Sequence, residues 1–151
     1  MADTGPGAGG SGGGSSGLAV IVQAGGYDRV HYAFVLAAGA AATGRPATLF
    51  LTGRALTVLL PDPGWRGLDP ADDGTPPALR DATLAERGVA TLVELREACA
   101  ELGVRLIACE MGWRALGHPT PPPPAPGLVV ETAGVVTLLS ETPPGHHLVF
   151  V

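Results

Sequence analysis

The sequence predicts a single α/β domain on a five-stranded, mainly parallel sheet, and three observations support it. Short, predominantly apolar runs at residues 18–23, 47–51 and 104–108 have the length and composition of buried strands. Segments with helical spacing of apolar residues alternate with them, the order that builds parallel pairing. Glycine or proline stands at most of the joints, so the elements are short and clearly punctuated.

Taken in order, Leu18 to Gln23 forms the first strand and the Ala24-Gly25-Gly26-Tyr27 turn breaks it. Asp28 then caps a helix whose apolar positions Val30, Phe34, Ala37, Ala38 and Ala41 share a face, and which ends at Gly44 before Arg45-Pro46. The second strand is 47–51, and Thr52-Gly53-Arg54 leads into a short helix through Leu60. Residues 61–80 are rich in Pro, Gly and Asp around one aromatic anchor, Trp65, so a surface excursion with nothing longer than a turn is expected there. A helix opening at Ala90 or Thr91 places Leu92, Leu95, Cys99 and Leu102 on one face and Glu94, Glu97 and Glu101 on the other. Gly103 ends it, and strand 104–108 delivers Cys109 to its carboxyl end. Residues 113–116 make about one helical turn. Six prolines within 118–127 impose an extended linker. A short strand at 128–130, a short helix at 133–139 and a final strand at 147–151 complete a flavodoxin-like, doubly wound sheet with helices on both faces.

Composition limits the function classes. Residues 1–17 are dominated by Gly and Ser and read as a disordered tail, leaving 18–151 as the domain. That leader lacks a basic start and an apolar core, and no later run approaches the roughly 18 apolar residues of a membrane span, so a cytoplasmic protein is expected. All nine basic residues are Arg, against fourteen acids and a formal charge of −5, which makes nucleic acid a poor partner. Two cysteines form no disulfide framework in a reducing compartment. His118, His146 and His147 show no zinc-like spacing, and no dinucleotide or phosphate-loop pattern occurs, so neither a metal nor a cofactor is expected.

The most informative position is Cys109, because open α/β sheets hold ligands beyond the carboxyl ends of their strands. With strand order 2-1-3-4-5, the first and third strands are neighbours. The crevice at their carboxyl ends would then be walled by Gly25, Gly26, Tyr27 and Asp28 on one side and by Cys109, Glu110 and Met111 on the other. The amino end of the first helix would favour a thiolate, whereas Asp28 and Glu110 would oppose one, and His31 one turn along could serve as base or donor. An accessible, acidified Cys109 is the functional reading, and a small buried hydrophobe is the plain one. Cys99, on an apolar helix face, reads as core.

Three stretches together carry a family resemblance: Ala-Gly-Gly-Tyr-Asp-Arg-Val-His-Tyr-Ala at 24–33, Gly-Arg-Pro-Ala-Thr-Leu-Phe at 44–50, and Glu-Ala-Cys at 97–99 continuing through Val-Arg-Leu-Ile-Ala-Cys-Glu-Met-Gly at 104–112. They resemble the DsrE/DsrF-like proteins of sulfur relay over about residues 18–151. The resemblance implies a compact α/β fold, a homo-oligomer between dimer and hexamer, and a sulfurtransferase-like carrier that holds sulfane sulfur as a persulfide on Cys109. It also implies a protein partner that donates or accepts that sulfur. The Pro-rich run 119–126 follows the Cys109 loop closely enough to bear on access to the thiol. A non-catalytic small-molecule or protein-binding module of the same shape stays open beside the carrier, since fold alone does not decide function.

Overall fold

The computed structural model describes residues 16–151 and contains one all-parallel sheet of β1 (Leu18–Val22), β2 (Ala47–Leu51), β3 (Arg105–Cys109), β4 (Val130–Ala133) and β5 (His147–Phe150). Around it lie α1 (Tyr27–Ala42), α2 (Pro77–Glu86), α3 (Leu92–Glu101), α4 (Glu110–Ala115) and α5 (Val135–Glu141), with 3-10 turns at Gly53–Leu59 and Gly64–Gly67. The α/β class, the five strands and the helices on both faces agree with the sequence reading. The strand order does not: it is β4-β3-β2-β1-β5, so β2 separates β1 from β3.

This order determines where the helices go. The connections from β1 to β2, β2 to β3 and β3 to β4 all step the same way, and right-handed crossovers then place their helices on one face. The last connection steps back across the whole sheet to the far side of β1, which puts α5 on the opposite face. Strand alternation sorts the side chains to match. Val20, Val22, Leu49, Leu51, Leu106 and Ala108 pack with Val30, Phe34 and Ala37 of α1, Leu92, Leu95 and Cys99 of α3, and Trp113 of α4. On the other face Phe50, Ile107 and Cys109 form a small cluster with Leu138 of α5, flanked by Ile21 and Ala133.

The main core explains the local structure around it. Small residues Ala33, Ala37 and Ala40 on the buried side of α1 let the helix lie close to the sheet, and Phe34 fills the space between α1 and its neighbours. Asp28 does not cap this helix: the cap position falls on Gly26, without a side-chain bond, and Asp28 lies within the first turn. Thr91 caps α3 with a reciprocal pair: its Oγ1 accepts from Glu94 N at 3.2 Å, and Glu94 Oε1 accepts from Thr91 N at 3.2 Å. Leu102, expected on the buried face, is 45% exposed because α3 stops one residue earlier and Gly103, at φ +77°, turns the chain away.

The 61–80 segment is a larger departure. It holds the Gly64–Gly67 turn and the first turn of α2, and Trp65, Leu68 and Ala71 are buried. Rather than looping over the surface, the segment docks on the β1–α1 junction: Asp69 N donates to Gly25 O at 2.8 Å and Tyr27 N donates to Asp69 O at 3.0 Å. The expected tail lies mostly outside the described residues. Its last two residues are tied to the sheet edge, with Ser16 O accepting from Arg45 Nε at 2.7 Å and Gly17 O from His147 N at 2.9 Å.

Candidate functional site

Cys109 is the last residue of β3, and the chain turns into α4 at once, so its side chain stands at the carboxyl edge of the sheet. Its Sγ accepts from Gly112 N at 3.4 Å. Gly112 is the residue this contact requires: a Cβ there would meet Leu56 Cδ1 and Thr52 Oγ1, each at 2.8 Å. α4 therefore sits against the end of β2 more closely than any larger residue would allow.

The thiol faces away from the main core, into a cavity of about 340 Å³ on the α5 side of the sheet. Ile21 and Phe50 supply its floor, Thr52 and Gly134 its strand-end wall, Val135 and Val136 of α5 its far side, and Met111 its rim. Cys109 itself is only 4% exposed, so the partly exposed thiol expected from the sequence is instead a buried one at the base of an apolar recess. Met111, 72% exposed, lines the recess, and it is the expected site residue that the structure does bring to Cys109.

The other expected residues assemble elsewhere. With β2 between β1 and β3 there is no β1/β3 crevice, and the ends of β1 and α1 are occupied by the 61–80 segment and α2. Gly25 faces Arg54 and Asp69, where an added Cβ would approach to 2.6 and 2.7 Å, and Gly26 pairs with Asp69. Tyr27 is fully buried and donates its hydroxyl to Asp81, which also accepts from Leu92 N at 2.8 Å. Burial and the Asp81 carboxylate hold the Tyr27 phenol well above its ordinary range. Asp28 accepts from Arg80 Nε at 3.1 Å and from Asp72 N at 2.9 Å. His31 stacks on Tyr27 with ring centroids 5.7 Å apart, and its Nε2 is 2.8 Å from Ala90 O. Together these side chains clamp α2 and the start of α3 onto α1. His31 lines no part of the Cys109 cavity.

The second thiol differs from the first. Cys99 is fully buried under α1, its Sγ donates to Phe34 O at 3.6 Å, and burial pushes its pKa up to about 12. The Pro-rich linker crosses the other side of the sheet from Cys109, where 121–124 overlie Ala108, Trp113, Val130 and Thr132, and Ala125 N donates to Leu59 O at 2.8 Å. It does not screen the thiol. Among the described residues, no group of three or more His, Cys, Asp or Glu side chains is arranged to hold a metal ion, and no helix is long and apolar enough to cross a membrane.

Ile21, Phe50, Thr52, Val135 and Val136 do not stand out as site residues in the sequence. The signal that could find them is strand alternation, because residues 21, 50, 107 and 109 fall on the same face once the strands are paired in register. A predominantly apolar run conceals that division, since both of its faces are buried.

No family model matches the chain. A curated relative from Allochromatium vinosum, named sulfur carrier protein DsrE2, is 32% identical over 117 residues, spanning 62% of this chain and 74% of the relative. The chain belongs to the DsrE-like family. The crystal structure of the ychN protein from E. coli superposes with a TM-score of 0.54 at 19% identity, covering 89% of this chain and 99% of that one, a likeness of fold.

Proposed function

We propose that this DsrE-like protein is a sulfur carrier that holds sulfane sulfur as a persulfide on Cys109 and passes it to a partner protein. The observation that carries the reading is the placement of Cys109 alone at the base of an apolar recess on the sheet's carboxyl edge, in a chain related to a protein named as a sulfur carrier. In loading, the Cys109 thiolate attacks the outer sulfur of a donor persulfide R–S–SH. The Sγ–S bond forms, the donor S–S bond breaks, and R–S⁻ leaves with the electron pair and takes up the proton released by Cys109. In unloading, an acceptor thiolate attacks the outer sulfur and Cys109 departs as thiolate. No external oxidant or reductant is consumed.

The reading includes a reducing cytoplasmic setting, where both cysteines stay free. It also includes a homo-oligomer formed over the α5 side of the sheet, where Leu148, Phe150, Val136 and Leu139 are half-exposed or more. Light scattering that returns a monomer mass at micromolar concentration would remove the oligomer from the reading.

Mass spectrometry after exposure to inorganic polysulfide tests the carrier. One added sulfur is expected on the wild type and on Cys99→Ser, and none on folded Cys109→Ser. Uptake on Cys99 with an inert Cys109 would overturn the proposal.

A further inference from the structure

The Cys109 cavity is apolar but for one side chain. Among the described residues its walls are Ile21, Phe50, Val135 and Val136 with Met111, and Thr52 brings the one side-chain hydroxyl. β2 and β3 pair in register through Leu51 and Ala108, so Thr52 and Cys109 form the next pair outward. Alternation puts Thr52 on the face that Phe50 and Cys109 share.

The Thr52 hydroxyl is also not used where a threonine in its position normally is. Thr52 is the residue from which the Gly53–Leu59 turn starts, a place where Ser and Thr ordinarily cap with the side chain, yet its side chain makes no capping bond. The hydrogen bond that reaches Cys109 Sγ comes from Gly112 N instead. Gly112 and Thr52 border the same space, since a Cβ on Gly112 would lie 2.8 Å from Thr52 Oγ1. One donor thus serves the thiol, and among the described residues the Thr52 hydroxyl, which borders the same space, has no protein hydrogen-bond partner.

We propose that Thr52 is the positioning residue for the outer sulfur of a Cys109 persulfide, its hydroxyl donating to that sulfur and not to the resting thiol. The inference rests on the persulfide reading above. An added sulfur extends from Sγ into the cavity, where an ionised terminal atom without a donor would be costly to bury. The Thr52 hydroxyl supplies a charge-assisted hydrogen bond to it while keeping its own proton, and no bond is made or broken at Thr52. Because the contact is present only in the loaded state, it favours the loaded protein over the empty one, the condition for an interaction that tunes transfer rather than fold.

The test uses the full chain loaded with inorganic polysulfide, with Thr52→Val and Thr52→Ser as variants. Two quantities are followed: the lifetime of the added sulfur in buffer, and the pH midpoint for iodoacetamide alkylation of the outer sulfur. For Thr52→Val, which keeps the shape and removes the hydroxyl, a lifetime about tenfold shorter and a midpoint about one pH unit higher are expected, the scale of one charge-assisted hydrogen bond. Thr52→Ser should restore both. If Thr52→Val does not fold, Thr52→Ala takes its place, with the same two shifts expected. A hydroxyl-free variant that matches the wild type in both measurements, or a Thr52→Ser protein that falls with it, overturns the role of Thr52 and leaves the carrier standing. A wild type that takes up no sulfur overturns the carrier and this inference together.

Discussion

The two faces of the sheet are unequal, and its two thiols show what the difference does. One face is covered by α1, α3 and α4, and its strand residues are sealed almost completely from solvent. The other is covered only by α5, which at seven residues is about 10 Å long, whereas crossing from β4 to the far side of β1 spans about 19 Å of sheet. Cys99 lies in the sealed face and its thiol is pushed up to about 12 by burial alone. Cys109 lies in the sparsely covered face, at the base of a recess rather than inside a packed core. A single back-crossing connection therefore builds both a stable half and a half with room for chemistry.

The sharpest way to break this comparison is to remove volume from the sealed face. Phe34→Ala should lose about 3–5 kcal/mol of unfolding free energy, since Phe34 is fully buried between α1 and its neighbours. Urea unfolding reads it. A loss below about 1 kcal/mol would show that the face is looser than its burial indicates.

A second test is the alkaline limb of stability. The folded Cys99 pKa is raised from 9.0 to about 12, so its contribution is fully present below pH 9 and is lost as pH climbs toward 12. Stability should fall through that window with a slope of up to about 1.4 kcal/mol per pH unit from this one group. Tyr27, also held above its ordinary value of 10.0, adds a loss of the same sign at the upper end. In Cys99→Ala the fall should be shallower from pH 9 upward. An unchanged slope would mean that the thiol ionises without cost in the folded protein.

The smallest effect belongs to the open face. Phe150→Ser should change the stability of the isolated chain by no more than about 0.5 kcal/mol, because Phe150 is 70% exposed. If the same substitution lowers the melting temperature in a manner that depends on protein concentration, the face is covered by another copy. If it costs several kcal/mol at every concentration, the contrast between the faces is wrong.

Much of the fold is legible in the sequence. The predominantly apolar runs at 18–23, 47–51 and 104–108, the Thr91 start and the Gly103 stop of α3 are local signals of period, capping and backbone freedom, and they place those elements to within a residue or two. α2 is not legible, because the residues it buries are Pro77 and Asp81 rather than an apolar repeat, and a Pro-rich stretch precedes it. The site divides similarly. Cys109 at a strand end and Met111 beside it follow from the chain itself, whereas Thr52, Ile21, Phe50 and the α5 valines come to Cys109 only through strand pairing.

Local sequence thus accounts for most of the elements, the parallel sheet class, the edge position of Cys109 and the core character of Cys99, all of which depend on neighbours within a few residues along the chain. The strand order lies beyond its reach, and with that order goes the fate of Gly25, Gly26, Tyr27, Asp28 and His31 as a structural clamp rather than a catalytic wall. The physical reason is that pairing β3 with β2 rather than with β1, and returning β5 to the outer side of β1, is settled by the sum of long-range packing over the whole sheet. No local periodicity carries that sum, and a single change of neighbour moves the thiol from one set of companions to another.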